Sequence, residues 1–201
     1  MTRGRITECL RNTRPAANAE CDARAKLPSA LAREIFSQPL VPAAVLVPLV
    51  ERDANLMLLL TRRTAQLRVH PGQISFPGGR VDAEDVGALE CALRETHEEL
   101  GVSAELIAVA GYLPTQPVIT GYAVTPVVGF MSGNVSLRPD PREVAEVLEI
   151  PLAFFLEPGS ARHASRQLGE ITVPVIEYWY ESRRIWGATA AIIQSLARII
   201  G

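Results

Sequence analysis

The residues best suited to chemistry stand together at Arg94-Glu95-Thr96-His97-Glu98-Glu99, just before Leu100-Gly101. Glu95, Glu98 and Glu99 are separated by one, three and four positions, and the offsets of three and four place side chains on one side of an α-helix. Leu89, Ala92, Leu93, Thr96 and Leu100 recur with the same helical period and form a mostly apolar stripe on another side. In isolation the acidic cluster is unfavourable. Like charges at this spacing repel by roughly 0.2–0.5 kcal/mol per pair, and the cluster lies toward the helix C-terminus, where the macrodipole is already negative. Arg94 relieves only part of this. Two readings follow: a solvated acidic face, or carboxylates gathered beneath a cation.

The elements that must position this helix are legible from pattern and punctuation. Residues 43–50 and 55–63 are apolar runs around a short polar link, which predicts a hairpin or two buried neighbouring strands. A polar loop over 66–71, a short strand over 73–76 and a turn at Pro77-Gly78-Gly79 then lead to the helix. Further strands are expected at 105–113 and 122–131, joined by a Pro-, Thr- and Gly-rich loop over 114–121. Residues 143–150 are ambiguous between strand and helix, 151–156 read as a helical turn, and 159–169 lack a clear pattern. Residues 171–180 and 184–186 read as a closing hairpin, and 187–200 as an amphipathic helix. Before the first strand, residues 1–26 look loosely structured with a short helix over 5–11, and 29–36 suit another short helix capped by Ser29. These elements predict an α/β domain over 27–201, a sandwich around a mixed sheet, preceded by an N-terminal extension over 1–26.

Composition narrows the function classes. The 201 residues are 48% hydrophobic and 21% charged, as in an ordinary globular protein. A net charge of −2 offers no global electrostatic case for nucleic acid or a membrane surface as partner. No apolar run approaches the length of a transmembrane helix. Cys9, Cys21 and Cys91 are odd in number and lack metal-ligand spacing, which suggests a reducing compartment. The absence of an apolar h-region in the first 26 residues argues against a secretory signal, so a cytoplasmic location is expected.

Gly79, Arg94, Glu95, Glu98, Glu99 and Gly101 together resemble the Nudix box, G-x5-E-x7-R-E-U-x-E-E-x-G-U with U aliphatic. Thr96 stands at the first U and Val102 at the last. The first half departs from the pattern: Asp85 rather than Glu follows Gly79 by six residues, and eight residues separate it from Arg94. The flanking Leu58-Leu59-Leu60-Thr61-Arg62-Arg63 and the stretch Leu67-Arg68-Val69-His70-Pro71-Gly72-Gln73-Ile74-Ser75-Phe76-Pro77-Gly78-Gly79 resemble the extended signature of the coenzyme A pyrophosphatase branch, which carries the same shifted box. With Gly111 to Gly129 and Ile185-Trp186-Gly187-Ala188-Thr189, the resemblance covers roughly 27–200.

The resemblance implies a Nudix-fold α/β/α sandwich around a mixed β-sheet. It also implies an enzyme requiring Mg2+ or Mn2+ that hydrolyses the pyrophosphate of coenzyme A or a derivative to 4′-phosphopantetheine and adenosine 3′,5′-bisphosphate. On this reading Glu95, Glu98 and Glu99, with the Gly79 carbonyl, hold metal; Glu95 serves as ligand or base, and Arg94 orients it. Arg62, Arg68 and His70 are the expected substrate contacts, with Arg63 as a further candidate and a loop staple as the alternative role of His70. Strand alternation keeps Arg62 and Arg63 from sharing one pocket, and Glu143 and Glu146 are candidates for an assisting acid. Cys91 is expected to pack, as are Trp179 and Trp186, with adenine stacking as the alternative for the tryptophans. The rival readings are another nucleoside diphosphate substrate, such as ADP-ribose or NADH, and a non-catalytic nucleotide-binding regulator. The implied partner is a small nucleotide; a homodimer is admitted but not required.

Overall fold

The computed structural model describes residues 1–27, 38–53, 55–67, 69–168 and 171–201. The helix expected over 29–36 lies outside them. A mixed sheet of eight strands forms the centre: β1 (Val41–Arg52), β2 (Asn55–Arg63), β3 (Ile74–Ser75), β4 (Gly78–Arg80), β5 (Ile107–Tyr112), β6 (Gln116–Val118), β7 (Tyr122–Met131) and β8 (Val144–Pro151). The axis of the sheet is β1, which runs parallel to β7 and antiparallel to β2 and β4. On the far sides, β7 pairs with β5 and β6, and β2 with β3 and β8.

The continuous apolar run of β1 is explained by burial on both faces. Ala43, Val47 and Leu49 enter one core, while Ala44, Leu46 and Val50 enter the other. In β2, Leu58 and Leu60 take the first side and Leu59 the second. Each of these leucines is fully buried, contributing roughly 1.5–3 kcal/mol apiece before entropic costs. The second core is closed by α3 (Ala88–Leu100), the acidic helix. The first is closed by α1 (Arg3–Leu10), α4 (Leu152–Leu156), α5 (Gly187–Ile200) and a second sheet in the order β11-β10-β9. That sheet comprises β9 (Ala161–Leu168), β10 (Ile171–Tyr180) and β11 (Arg183–Trp186). Helices and the small sheet thus cover both faces of the mixed sheet, the α/β sandwich expected from the pattern.

Several local expectations change, among them the loop expected over 114–121, which contains β6. Pro77-Gly78-Gly79 is not a turn: Gly78 and Gly79 open β4, which pairs with Val45 and Ala44 of β1. A Cβ on Gly78 would sit 2.3 Å from the Ala44 carbonyl oxygen, so the strand approaches this closely only because the side chain is missing. Residues 143–150 resolve as strand, and the poorly patterned 159–169 contain β9, whose polar side chains hide its period. Near the N-terminus, α1 falls close to the short helix expected there, and α2 (Ala19–Ala25) follows it. Ile6 and Leu10 are buried in the same core as α5, and the Asp22 carboxylate accepts a hydrogen bond from the Thr115 backbone at 2.9 Å.

Candidate active site

Helix α3 ends at Gly101, whose φ of 69° is the left-handed conformation of a helix C-cap. Ala92, Thr96 and Leu100 of the expected apolar stripe are buried, whereas Leu89 and Leu93 are only half-buried. Cys91 and Glu99 are buried in addition. The three acids therefore do not form one uniform face: side-chain exposure is 56% for Glu98, 17% for Glu95 and 3% for Glu99.

Arg94 organises the first turn of this cluster. Its Nε and Nη2 donate to the two Asp85 carboxylate oxygens at 3.1 and 2.9 Å. Its Nη1 donates to Glu95 at 2.9 Å and reaches both Glu98 oxygens at 3.4 Å, and Nη2 also donates to the Arg80 carbonyl at 3.1 Å. The forked guanidinium bonds suit a planar two-oxygen acceptor. Asp85, the residue at which the box pattern departs, is the acid that holds Arg94, and this bond keeps its carboxyl below the usual range. Arg94 is raised further above its ordinary value, first by Asp85 and then by Glu95.

Glu95 lies against β4. A Cβ on Gly79 would fall 2.4 Å from Glu95 Oε1, so glycine is what lets the carboxylate reach the strand backbone. The thiol of Cys91 points to the Gly79 and Arg80 carbonyls at 3.6 and 3.2 Å, and burial pushes it up to about 12. It is a packed, unreactive thiol. Burial also raises Glu95, against the opposing pull of Arg94. Glu99 is pushed up to about 8, chiefly by burial. Arg63 and a hydrogen bond from the Gly78 backbone oppose that rise, while Glu143 and Glu95 add to it. The nearest cation, Arg63, stands 3.9 Å away, and its Nε is buried without a hydrogen-bond partner among the described residues.

The strand register separates the two neighbouring arginines. Arg62 is directly opposite Glu146 and pairs with it at 3.0 Å, while Arg183 takes the other Glu146 oxygen at 2.9 Å. Arg63 continues the Leu59 row of β2 toward α3. Thus Arg62, expected at the substrate, is held in an ion-pair cluster instead, and Arg63 takes the position between helix and pocket. The same pairing commits Glu146, leaving Glu143 as the downstream acid whose charge acts on Glu95 and Glu99. Arg68 lies outside the described residues.

A cavity of about 660 Å³ borders β4 on the sheet face opposite α3. Gly78, Gly79 and Arg63 line it, which joins it to the carboxylate cluster. His70 also lines it, with φ 55° and its Nε2 3.4 Å from Thr120 Oγ1 across the mouth. Lys26, Arg80 and Arg166 complete the basic lining, whereas no Asp or Glu is among the described lining residues. Trp186, half-buried, contributes one wall. Trp179 is 39% exposed and donates to Glu177, so it packs in neither core. Arg63 was legible as a candidate, because strand alternation sets it apart from Arg62 and lets only one of the two face a given pocket. Lys26, Arg80 and Arg166 were not foreseen, since they come from elements whose meeting no local pattern encodes, and Trp186 takes a place at the cavity in keeping with the alternative considered for it.

The NUDIX domain family model matches residues 40–167, more than half of the chain. The chain belongs to the Nudix family. Among curated relatives, the protein named "uncharacterized Nudix hydrolase NudL" from Enterobacter sp. (strain 638) is 42% identical over 159 residues, covering 79% of this chain and 82% of the relative. Its namesake from Escherichia coli (strain K12) is 43% identical over 159 residues with the same coverage. Among solved structures, a MutT/nudix family protein from Enterococcus faecalis superposes with a TM-score of 0.50 at 18% identity, over 92% of this chain and 75% of that one; this likeness concerns the fold alone. This Nudix hydrolase is an enzyme of a family that acts on nucleoside diphosphate derivatives and uses divalent metal ions. Among the described residues, no helix is long and apolar enough to cross a membrane.

The residues fit a divalent cation by their charge. Glu95 is raised by burial with the charges of Glu98 and Glu143 adding to it, and Glu99 by burial with those of Glu143 and Glu95, while one arginine approaches Glu99 only at 3.9 Å. A hard dication with oxygen ligands compensates such a cluster. Among the described residues, no three acid, histidine or cysteine side chains stand close enough to hold an ion as placed; Arg94 occupies Glu95 and Glu98.

Proposed function

We propose that this Nudix hydrolase cleaves the pyrophosphate of coenzyme A or a close derivative, releasing 4′-phosphopantetheine and adenosine 3′,5′-bisphosphate. The observation that carries the reading is the placement of the 58–79 stretch. Residues Arg63, Val69, His70, Gln73–Phe76, Gly78 and Gly79 line the cavity, and two of them also face the carboxylate helix: Arg63 approaches Glu99 and Gly79 lies against Glu95. This is the stretch that resembles the coenzyme A branch, and its contacts on both sides of β4 support a reading in which recognition in the cavity is coupled to chemistry at the carboxylates. A cavity with basic side chains, no carboxylate among its described lining residues and largely aliphatic walls suits a polyanion that carries a long neutral arm.

Glu95, Glu98 and Glu99, with the Gly79 carbonyl, would hold Mg2+ or Mn2+. When bound, the metal neutralises phosphate charge and lowers the pKa of a coordinated water. The protein's own residues do the rest. Arg63, between Glu99 and the cavity, donates to a phosphate oxygen with its planar fork. Asp85 fixes Arg94, and Arg94 fixes Glu95 against β4. Glu95, raised by burial, is the acceptor for the proton of the attacking water, with Glu143 as its neighbouring acid. Water adds to one phosphorus, the bridging P–O bond breaks, and the two products leave as phosphate monoesters. Small nucleotides are the partners of this site, and a cytoplasmic homodimer is compatible with it.

The deciding experiment compares turnover of coenzyme A, ADP-ribose, NADH and a nucleoside triphosphate with each metal, with products identified by mass spectrometry. Coenzyme A is expected to turn over fastest and to yield the two named products. Faster hydrolysis of ADP-ribose would overturn the substrate assignment while leaving the carboxylate site intact.

A further inference from the structure

Of the four lysine and arginine residues lining the cavity, two have visible carboxylate partners or neighbours. Lys26 pairs with Asp22 at 3.3 Å, and Arg63 approaches Glu99. Arg80 and Arg166 have no carboxylate partner among the described residues. Arg166 differs from Arg80 in how it is held. Its guanidinium carbon lies 4.8 Å from the centre of the Trp186 ring, and both residues line the cavity. A second guanidinium, that of Arg184, lies 5.3 Å from the same ring. Arg184 is already neutralised by Glu177 at 2.6 Å, and Glu177 is further tied to Trp179 at 3.1 Å.

The register of the small sheet explains this arrangement. Trp186 is opposite Glu177 and Arg166 opposite Val173. Glu177 and Val173 are four residues apart on β10, so all of these side chains share one sheet face. The opposite face carries Tyr178 and Ile185 into the core. The chain Trp179–Glu177–Arg184–Trp186–Arg166 thus begins in solvent and ends at the cavity with a planar cation whose charge is unspent. A guanidinium resting on an indole keeps its outer face available for a second planar group, and it remains charged in the pH range of the enzyme.

We propose that Arg166, backed by Trp186, is the platform for the purine of the nucleotide half of the substrate. The base stacks on the guanidinium, and the adjoining phosphate is drawn by the same charge. This deepens the function proposed above and rests on the cavity being its substrate site. Trp186, on β11, lies beyond the 40–167 Nudix match and Arg166, on β9, stands at its end, so the platform comes from the small sheet rather than from the box.

The test uses the full chain with Trp179→Phe, which leaves Trp186 as the single tryptophan. Its fluorescence is followed during titration with adenosine 3′,5′-bisphosphate, adenosine 5′-monophosphate and, separately, 4′-phosphopantetheine. The expected result is a saturable change with both adenine nucleotides and none with phosphopantetheine. Arg166→Ala should weaken nucleotide binding roughly ten-fold, the scale of a desolvated cation–π contact. Arg166→Lys, which keeps the charge but not the plane, should fail to restore it. Circular dichroism of both variants checks that the fold is retained. Unchanged nucleotide affinity in Arg166→Ala, full rescue by lysine, or a response to phosphopantetheine alone would each overturn the platform. Absence of coenzyme A hydrolysis with nucleotide binding at Trp186 retained would instead sink the substrate assignment, so the two failures are separable.

Discussion

Glu99 and Glu146 are both glutamates beside arginines contributed by β2, yet their surroundings differ in kind. Glu146 is held by Arg62 at 3.0 Å and Arg183 at 2.9 Å, and its side chain keeps 30% exposure. Glu99 is 3% exposed, has one arginine at 3.9 Å, and feels the like charges of Glu143 and Glu95. In the first region the protein completes its own charge balance; in the second it leaves negative charge for something else to complete. A structural ion-pair cluster and the proposed reaction centre thus arise from the same residue types, with their arginines one strand position apart.

The sharpest way to break this contrast is to remove one carboxylate from each region. On the proposed function, in which these acids act on the reacting phosphates through metal, Glu98→Gln and Glu99→Gln should each lower kcat by about a thousand-fold. Glu146→Gln should change it by less than about three-fold. Steady-state kinetics with a melting curve for each variant makes the comparison, and an active Glu98→Gln enzyme would sink the assignment of that acid.

Asp85 offers a stability counterpart. Its side chain is 6% exposed and carries two bonds to Arg94. Asp85→Asn should cost about 1.5–3 kcal/mol, the range for a charge-assisted hydrogen bond. Urea unfolding measures it, and the loss should exceed that of Glu146→Gln, whose pairs are more exposed.

Acidity separates the regions again. Glu99 is raised in the folded state to about 8, so the folded protein holds a proton that the unfolded chain releases at ordinary carboxylate pH. Its contribution is full below that range and is lost as pH rises through about 8. Metal-free protein should therefore lose stability over that window, and added Mg2+ or Mn2+ should raise Tm more at pH 8.5 than at pH 5.5. Glu99→Gln should flatten the slope. A metal effect independent of pH would detach the ion from Glu99.

The smallest effect is expected from the paired arginines. Arg63→Gln should reduce kcat/KM by roughly ten-fold or more, through a lost charged contact to phosphate. Arg62→Gln should remain within about two-fold, because Arg62 is spent on Glu146. Equal effects would remove the distinction that the strand register draws between them.

Much of this was legible in the sequence. The buried strands, the acidic helix, its glycine stop and the closing hairpin follow from local periods and turn residues. The pairing of β1 with β2 needed only the polar link at 51–53. The glycines at 78 and 79 misled, because their turn chemistry concealed a strand that glycine makes possible by close approach to β1 and Glu95. Strand β9 was missed because its side chains are polar along most of its length and leave no alternation to read.

The sequence alone determined that three glutamates would cluster at the end of one helix, that glycine and arginine would accompany them, and that Arg62 and Arg63 would face opposite ways. These are consequences of helical and strand periods, which are properties of neighbours along the chain. Only the tertiary structure decided which arginine meets Glu99, that Asp85 rather than residue 86 holds Arg94, that Glu146 is neutralised while Glu143 acts on the acids of α3, and that Arg166 rests on Trp186 at the cavity. Each of those depends on burial and on charges brought from distant segments. Whether a charge is compensated is set by what the fold places beside it.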